Sequence, residues 1–286
     1  MRIPGTVRTA ITGVGWAVAG PDFDPATALA GRGMRHKDRA SRFALRAAQR
    51  ALEDGGLLGE PELADAAVVL SSNFGNLGPV CDFMATIATS SSSDLSPMRV
   101  PQLGSQITAA WVALEHGIRG PNLTLCNGAS GGLDAVAWAC NLIAANRTTA
   151  ALVIGVEPDS PPVARLHAET AGLKWIDGAV ALVVESVPHA AGRGARIRAE
   201  ITGYGKAADE RSAIQAAGAA ATSRRLVGEP AARFGRCSGA LGVVQCAMAV
   251  EQLHDEAVLA IAGTGAGEGD ETSVSALVLT PPGRAA

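Results

Sequence analysis

Aromatic side chains are scarce in this chain: four Trp, five Phe and one Tyr make up only 3% of its 286 residues. A core with so few large rings must be filled by close approach of small side chains. Abundant alanine and 34 glycines suit helices and strands packed tightly in layers. Charge is thin as well. With 18% charged residues, a net charge of -3, a pI near 6.0 and no Lys/Arg run, the chain offers no field for a phosphate backbone, which excludes nucleic acid as a partner. The longest apolar stretches, such as Ala150 to Val156 and Ala179 to Val184, stop well short of the roughly 20 residues a membrane span needs. A soluble protein is expected. Met1 to Gly15 reads as a strand entering a glycine turn, without the charged start, apolar block and cleavage site of a signal peptide, and so predicts a cytoplasmic location. The five cysteines (Cys81, Cys126, Cys140, Cys237, Cys246) are odd in number, widely spaced and without a CxxC pair. That pattern argues against a disulfide framework or a zinc site and for buried free thiols. No cofactor or metal signature is present.

What is there is a 48% hydrophobic chain, long enough for one large domain or two fused halves. Val7 to Val14 reads as a short strand stopped by Gly13 and Gly15, and Arg39 to Glu53 as a helix. Ala66 to Ser71 is a buried strand, Leu77 to Ala88 a helix and Thr89 to Ser96 a Ser-rich connector. Helices follow at Gln102 to Gly117 and Gly131 to Asn146, with strands at Asn122 to Cys126, Ala150 to Val156 and Gly178 to Glu185. This alternation predicts an α/β fold with a parallel sheet. The pattern weakens between Pro158 and Trp175, and Pro188 to Gly194 looks like a linker. Beyond it lie strands at Arg196 to Tyr204, Ala257 to Ala262 and Val274 to Leu279, with helices at Ser212 to Ala221 and Ala240 to Leu253. Two α/β halves are expected, 1–190 and an abbreviated 191–286, joined as one compact unit.

The informative segment runs from Ile118 to Val136, IRGPNLTLCNGASGGLDAV: a strand enters a Gly-rich turn that opens directly into a helix. A side chain held at such a helix start meets unpaired N-H groups and the positive end of the dipole, which lowers a thiol's pKa and stabilises an oxyanion. It is where a nucleophile belongs.

Gly120, Pro121, Asn122, the strand, the turn and the helix resemble the nucleophile region of β-ketoacyl synthases, in which a cysteine lies inside the turn. This sequence has Ala129 there. The run Gly131, Gly132, Leu133, Asp134, Ala135 is similar to the subclass called chain length factors, which lack the cysteine and often carry glutamine. Ala129 departs from that glutamine too, and a methyl group can neither attack a thioester nor donate a hydrogen bond. Condensing enzymes of the family also use two histidines. FGRCSGALG, Phe234 to Gly242, resembles the second histidine motif with Arg236 in the histidine's place, and no segment matches the first. His36, His116, His167, His189 and His254 fall outside those motifs and read as surface or packing residues. The resemblance spans Ser96 to Pro101, the helix to Arg119, the turn, Gly155 to Glu157 and Gly265 to Leu279, with shortening around Pro158 to Gly178 and Asp209 to Ala232.

The resemblance implies a thiolase-like (ketosynthase) fold, two α/β halves in αβαβα layers. It implies a non-catalytic subunit that heterodimerises with an active ketosynthase and limits the length of a polyketide, possibly a polyene, borne on an acyl carrier protein's phosphopantetheine. The tunnel-facing helix then becomes Gly75 to Ala88, with Leu77, Val80 and Met84 on one face as the gate. The strand Asn122 to Cys126 is the candidate for pairing across the dimer, and Cys126, Asn127, Gly128, Ser130 and Gly131 form the turn and interface positions. Cys126 as a displaced nucleophile is disfavoured, since it precedes the turn and has no histidine. Cys237, beside Arg236, has no base nearby and is read as structural. A competing reading is a serine hydrolase: Gly128 to Gly132 satisfies GxSxG, making Ser130 the nucleophile with Asp177 or Asp209 and then His254.

Overall fold

A computed structural model describes residues 7–31, 33–34, 36–166, 174–220, 223–226, 229–263 and 273–283. The 1–6 part of the first expected strand, His167 and the 265–272 part of the family-like C-terminal segment lie outside them.

The first half contains strands β1 (Thr9–Val18), β2 (Ala67–Ser71), β3 (Asn122–Leu125), β4 (Ala150–Glu157) and β5 (Gly178–Ser186). Its helices are α1 (Pro25–Ala28), α2 (Arg39–Asp54), α3 (Leu77–Thr89), α4 (Ile107–His116), α5 (Gly131–Ala144) and α6 (Pro161–Leu166). The chain crosses through α7 (Val187–Gly192) to β6 (Ala199–Ala207), α8 (Glu210–Ala217), β7 (Arg224–Leu226), α9 (Glu229–Phe234), α10 (Leu241–Gln252), β8 (Val258–Gly263) and β9 (Val274–Thr280).

The halves repeat one topology. The first orders its strands β3-β2-β4-β5-β1 and the second β7-β8-β9-β6. In each half the strands farthest from the join pair in parallel and the remaining pairings are antiparallel, and β1 pairs with β6 over three residues to make one nine-stranded sheet. The second half has no counterpart of β3 among the described residues, which fits the expected abbreviation.

Strand side chains alternate between layers, as a period of two requires. Val69, Val153, Leu182, Ala260 and Leu277 point to a central core shared with α5 and α10. Leu70, Leu152 and Val183 point to an outer layer with α2 and α4, while Leu259, Ile261 and Val278 meet α8. The result is αβαβα layering, the thiolase-like arrangement of ketosynthases. The two central helices cross at glycines: a Cβ on Gly132 would lie 2.7 Å from the backbone nitrogen of Gly242.

Several expectations need correction. β1 does not stop at Gly13 and Gly15 but runs through them, because α2 lies directly on the strand there: a Cβ at Gly13 would sit 2.3 Å from the Ala51 carbonyl oxygen, and one at Gly15 2.1 Å from that of Ala47. The expected helix from Gln102 is broken; Pro97–Leu103 forms a 3-10 helix and α4 begins at Ile107. The Pro188 to Gly194 linker is the short helix α7, capped by Ser186 and held where His189 and Arg193 both meet the buried Glu185. The helix read to Ala221 ends at Ala217, where Gly218 turns left-handed. β7 and α9 carried too few apolar residues to be predicted.

Candidate functional site

The turn expected to carry a nucleophile is built as a single 3-10 turn, Gly128–Ser130, leading straight into α5. Gly128 adopts φ 76, a left-handed conformation that glycine reaches without strain. A twin stands in the other half: Ser238–Ala240 is also a 3-10 turn and leads straight into α10, with Ser238 at φ 45. Asn73, just after β2, ties the twins together. Its side-chain oxygen accepts from the Gly128 N-H at 3.1 Å and its amide donates to Ser238 Oγ at 2.8 Å. Ser71 reinforces the junction by donating to the Gly239 carbonyl at 2.7 Å.

Beneath this junction lies Glu157, the last residue of β4, only 3% exposed. Its carboxyl accepts the N-H groups of Asn73 at 2.8 Å, Phe74 at 3.0 Å and Gly239 at 3.0 Å, and the Ser72 hydroxyl at 3.2 Å. Burial pushes it up to about 7 against the pull of those donors. One carboxyl thus holds loops from both halves.

A second buried acid underlies α5. Asp134 accepts from Tyr204 Oη at 2.7 Å, Ser275 Oγ at 2.6 Å, Lys206 Nζ at 2.5 Å and the Asn127 amide. Burial pushes this carboxyl up, but the hydrogen bonds from Lys206, Ser275 and Tyr204 outweigh it and hold the group below the usual carboxylate range. β6 and β9 of the second half therefore grip the first turn of the helix that opens the site.

The residues named from the sequence fall as follows. Ala129 is the middle residue of the turn, half-buried, and supplies only a methyl group. Ser130 is 1% exposed, and its Oγ faces the Asp134 network, 3.4 Å from Asp134 Oδ2 and from Lys206 Nζ. None of the hydrolase partners touches it: Arg39 holds Asp177, Asp209 caps α8 by accepting from Ser212 at 2.9 Å, and His254 is exposed beyond α10. The triad is not assembled.

Cys126 is exposed, correcting the expectation of a buried thiol, because β3 is the edge strand of the sheet and Cys126 follows its last residue. Partial burial and the nearby Glu157 charge raise its thiol despite a hydrogen bond from Ser105, so it is not activated. Cys81 is half-buried, while Cys140, Cys237 and Cys246 are buried as expected. Arg236, exposed after the left-handed Gly235, stacks its guanidinium 5.6 Å from the Trp175 ring. Leu77 and Val80 of α3 are half-buried, and Met84 is 59% exposed. No residue of α3 is buried, so an apolar helix lies open to solvent. Glu157, Asn73 and Lys206 were missed by sequence reasoning. A charged residue closing the apolar run of β4 was the available signal for the first.

Among the described residues no cluster of ligating side chains could hold a metal, and no helix is long and apolar enough to cross a membrane.

The model of the β-ketoacyl synthase N-terminal domain matches residues 4–175, more than half of the chain. The chain belongs to the β-ketoacyl synthase family. It is 29% identical over 211 residues to 3-oxoacyl-[acyl-carrier-protein] synthase 2 of Coxiella burnetii, an alignment covering 66% of this chain and 51% of that protein. The chain thus spans about half the length of the curated relatives it matches. Among solved structures it superposes on a β-ketoacyl synthase from Burkholderia phymatum with a TM-score of 0.80 at 18% identity, covering 96% of this chain and 100% of that one. It superposes on the ishigamide ketosynthase/chain length factor with a TM-score of 0.77 at 20% identity, covering 96% and 99%.

Proposed function

We propose that this chain is a chain length factor, a ketosynthase-like subunit that pairs with an active ketosynthase and limits the length of an acyl-carrier-protein-bound polyketide. The observation that carries this reading is the site itself. A turn of the nucleophile-presenting kind is built in full, with its glycine, its helix start and two buried acids supporting it, yet it presents the methyl of Ala129. Arg236, where the second histidine is expected, is engaged with Trp175. The partner supplies the cysteine and both histidines.

The open face supports the same reading. Among the described residues β3 is an edge strand, and α3 exposes Met84 at 59% and Ile87 at 42%. A partner that covers both turns α3 into a tunnel wall, with Leu77, Val80 and Met84 setting its depth. Apolar area of this kind removed from water contributes about 25 cal/mol per Å², which favours a lasting complex. The resemblance to the ishigamide ketosynthase/chain length factor is in keeping with a heterodimer.

The test is co-expression with an active ketosynthase of the family, mass determination of any complex, and malonyl-dependent elongation with and without this chain. A one-to-one complex whose product shortens with Met84→Trp, while Ser130→Ala leaves elongation intact, is expected. A monomer, or unchanged products with Met84→Trp, overturns the reading.

A further inference from the structure

Where β1 leaves the sheet, a cavity of about 260 Å³ opens between the two halves. The first half lends it residues between Trp16 and Phe23 and Arg50 of α2, and the second lends Arg233 and Phe234 of α9 and Glu251 of α10. Pockets built across such a seam are a favoured place for small ligands. No residue of the Ala129 turn, of α3 or of the Glu157 junction lines it, so it stands apart from the chain length factor reading.

Rings form its walls, and guanidinium groups lie on the rings. Trp16 and Phe234 stack with their centroids 5.3 Å apart. Arg233 lies 4.9 Å from the Phe234 centroid and 5.8 Å from that of Trp16, and Arg50 lies 5.1 Å from that of the buried Phe23. A guanidinium that stacks through its face keeps the donors on its edge for an anion, and the ring holds the fork in place. Those donors are largely unspent. Arg233 makes no hydrogen bond among the described residues and sits 3.7 Å from Glu251, while Arg50 gives one terminal nitrogen to the Trp16 carbonyl at 2.5 Å. Lys174, an exposed third cation of the lining, has no partner for its ammonium among the described residues. Against these three cations stand Asp22 and Glu251, which leaves one positive charge in excess.

We infer that this cavity binds a small aromatic monocarboxylate. One excess positive charge calls for a monoanion, and a ring-mounted guanidinium fork matches the paired oxygens of a carboxylate. The body of the ligand meets Trp16, Phe23 and Phe234, together with Val18 and Pro21. Aromatic walls attract another ring beyond the area it buries, which an alkyl chain does not match. The volume lies just under the about 300–1,000 Å³ of drug-sized ligands, room for a compact ring system and too little for a long acyl chain.

Titration calorimetry on the full chain tests this with phenylpropanoate, phenylpropanamide, hexanoate and phenylalanine. Saturable binding of phenylpropanoate is expected, at least tenfold weaker for the uncharged amide and about threefold weaker for hexanoate, which has no ring. Arg233 and Lys174 are exposed, so Arg233→Gln and Lys174→Gln should leave the melting temperature near that of wild type. The first should weaken phenylpropanoate about tenfold and the second about threefold. Trp16→Phe should remove the ligand-dependent change in tryptophan emission. No saturable binding, equal affinity for the amide or for hexanoate, or indifference to Arg233→Gln overturns the site. Tighter binding of phenylalanine overturns the monoanion and assigns a zwitterion whose ammonium meets Asp22. Elongation and product length do not enter these measurements, so failure here is distinct from failure of the chain length factor reading.

Discussion

Gly132 and Gly242 meet where the two central helices cross: a Cβ on Gly242 would stand 2.2 Å from the backbone nitrogen of Leu133, and one on Gly132 2.7 Å from that of Gly242. Backbone, not a flexible side-chain end, fills the space, so neither helix can accommodate a methyl group without moving. Overpacking of this sort costs about 1–3 kcal/mol and at a helix crossing reaches the upper end. Gly242→Ala is expected to lower the urea midpoint clearly and Gly242→Val to give little soluble protein. Equal midpoints for wild type and Gly242→Ala would show that the helices are not in contact there.

Glu157 makes stability depend on pH near neutrality. Its folded value, about 7, lies above its ordinary 4.5, so its contribution is complete below about 4.5 and is lost as pH rises through 7. The loss is on the order of 3 kcal/mol at most. Urea unfolding at pH 5.5 and 8.5 should show wild type weaker at the higher pH, and Glu157→Gln should flatten that slope whatever it does to absolute stability.

Asp134 works in the opposite direction. Its folded value lies below the ordinary one, so the stability it contributes is present above about 3.8 and vanishes as pH falls through the folded value. Lys206→Met removes its charged partner and leaves Tyr204, Ser275 and Asn127 as neutral donors. A cost of about 3 kcal/mol is expected, the low end for breaking a buried pair, with acid unfolding shifted to higher pH. An unchanged acid midpoint would place the ammonium elsewhere.

Thiol reactivity reports on the open edge. Burial raises Cys140 and Cys237 to about 12 and Cys246 further still, whereas Cys126 is exposed. Alkylation at pH 8 followed by mass mapping should modify Cys126 first, Cys81 more slowly and the other three only on unfolding. If the proposed complex with a ketosynthase forms, Cys126 should be protected in it; undiminished labelling there would mean that the partner does not cover β3.

Much of the layered fold was legible because β4 and β5 are continuous apolar runs of strand length, buried on both faces, and because α5 follows its glycine turn without interruption. Glycine was the ambiguous letter. In β1 the same residue that ends a strand elsewhere makes room for α2, and only the packed neighbour tells the two apart. The turn at Ala129 was readable from its own residues, but its supports were not: Glu157, Asn73 and Lys206 reach it from three separate strands or loops, and such convergence leaves no local pattern. β7 and α9 escaped notice because Arg224, Arg225 and Arg233 give their segment the look of a loop.

The two ends of the nine-stranded sheet are unlike. Among the described residues, β3 at one end offers four residues, none of them charged, whereas β7 at the other is three residues long and shows two exposed arginines. Very short edge strands that carry charged side chains resist strand addition. A sheet with one receptive seam and one blunted seam can add a strand at a single edge only, and such a geometry guards against fibrous growth.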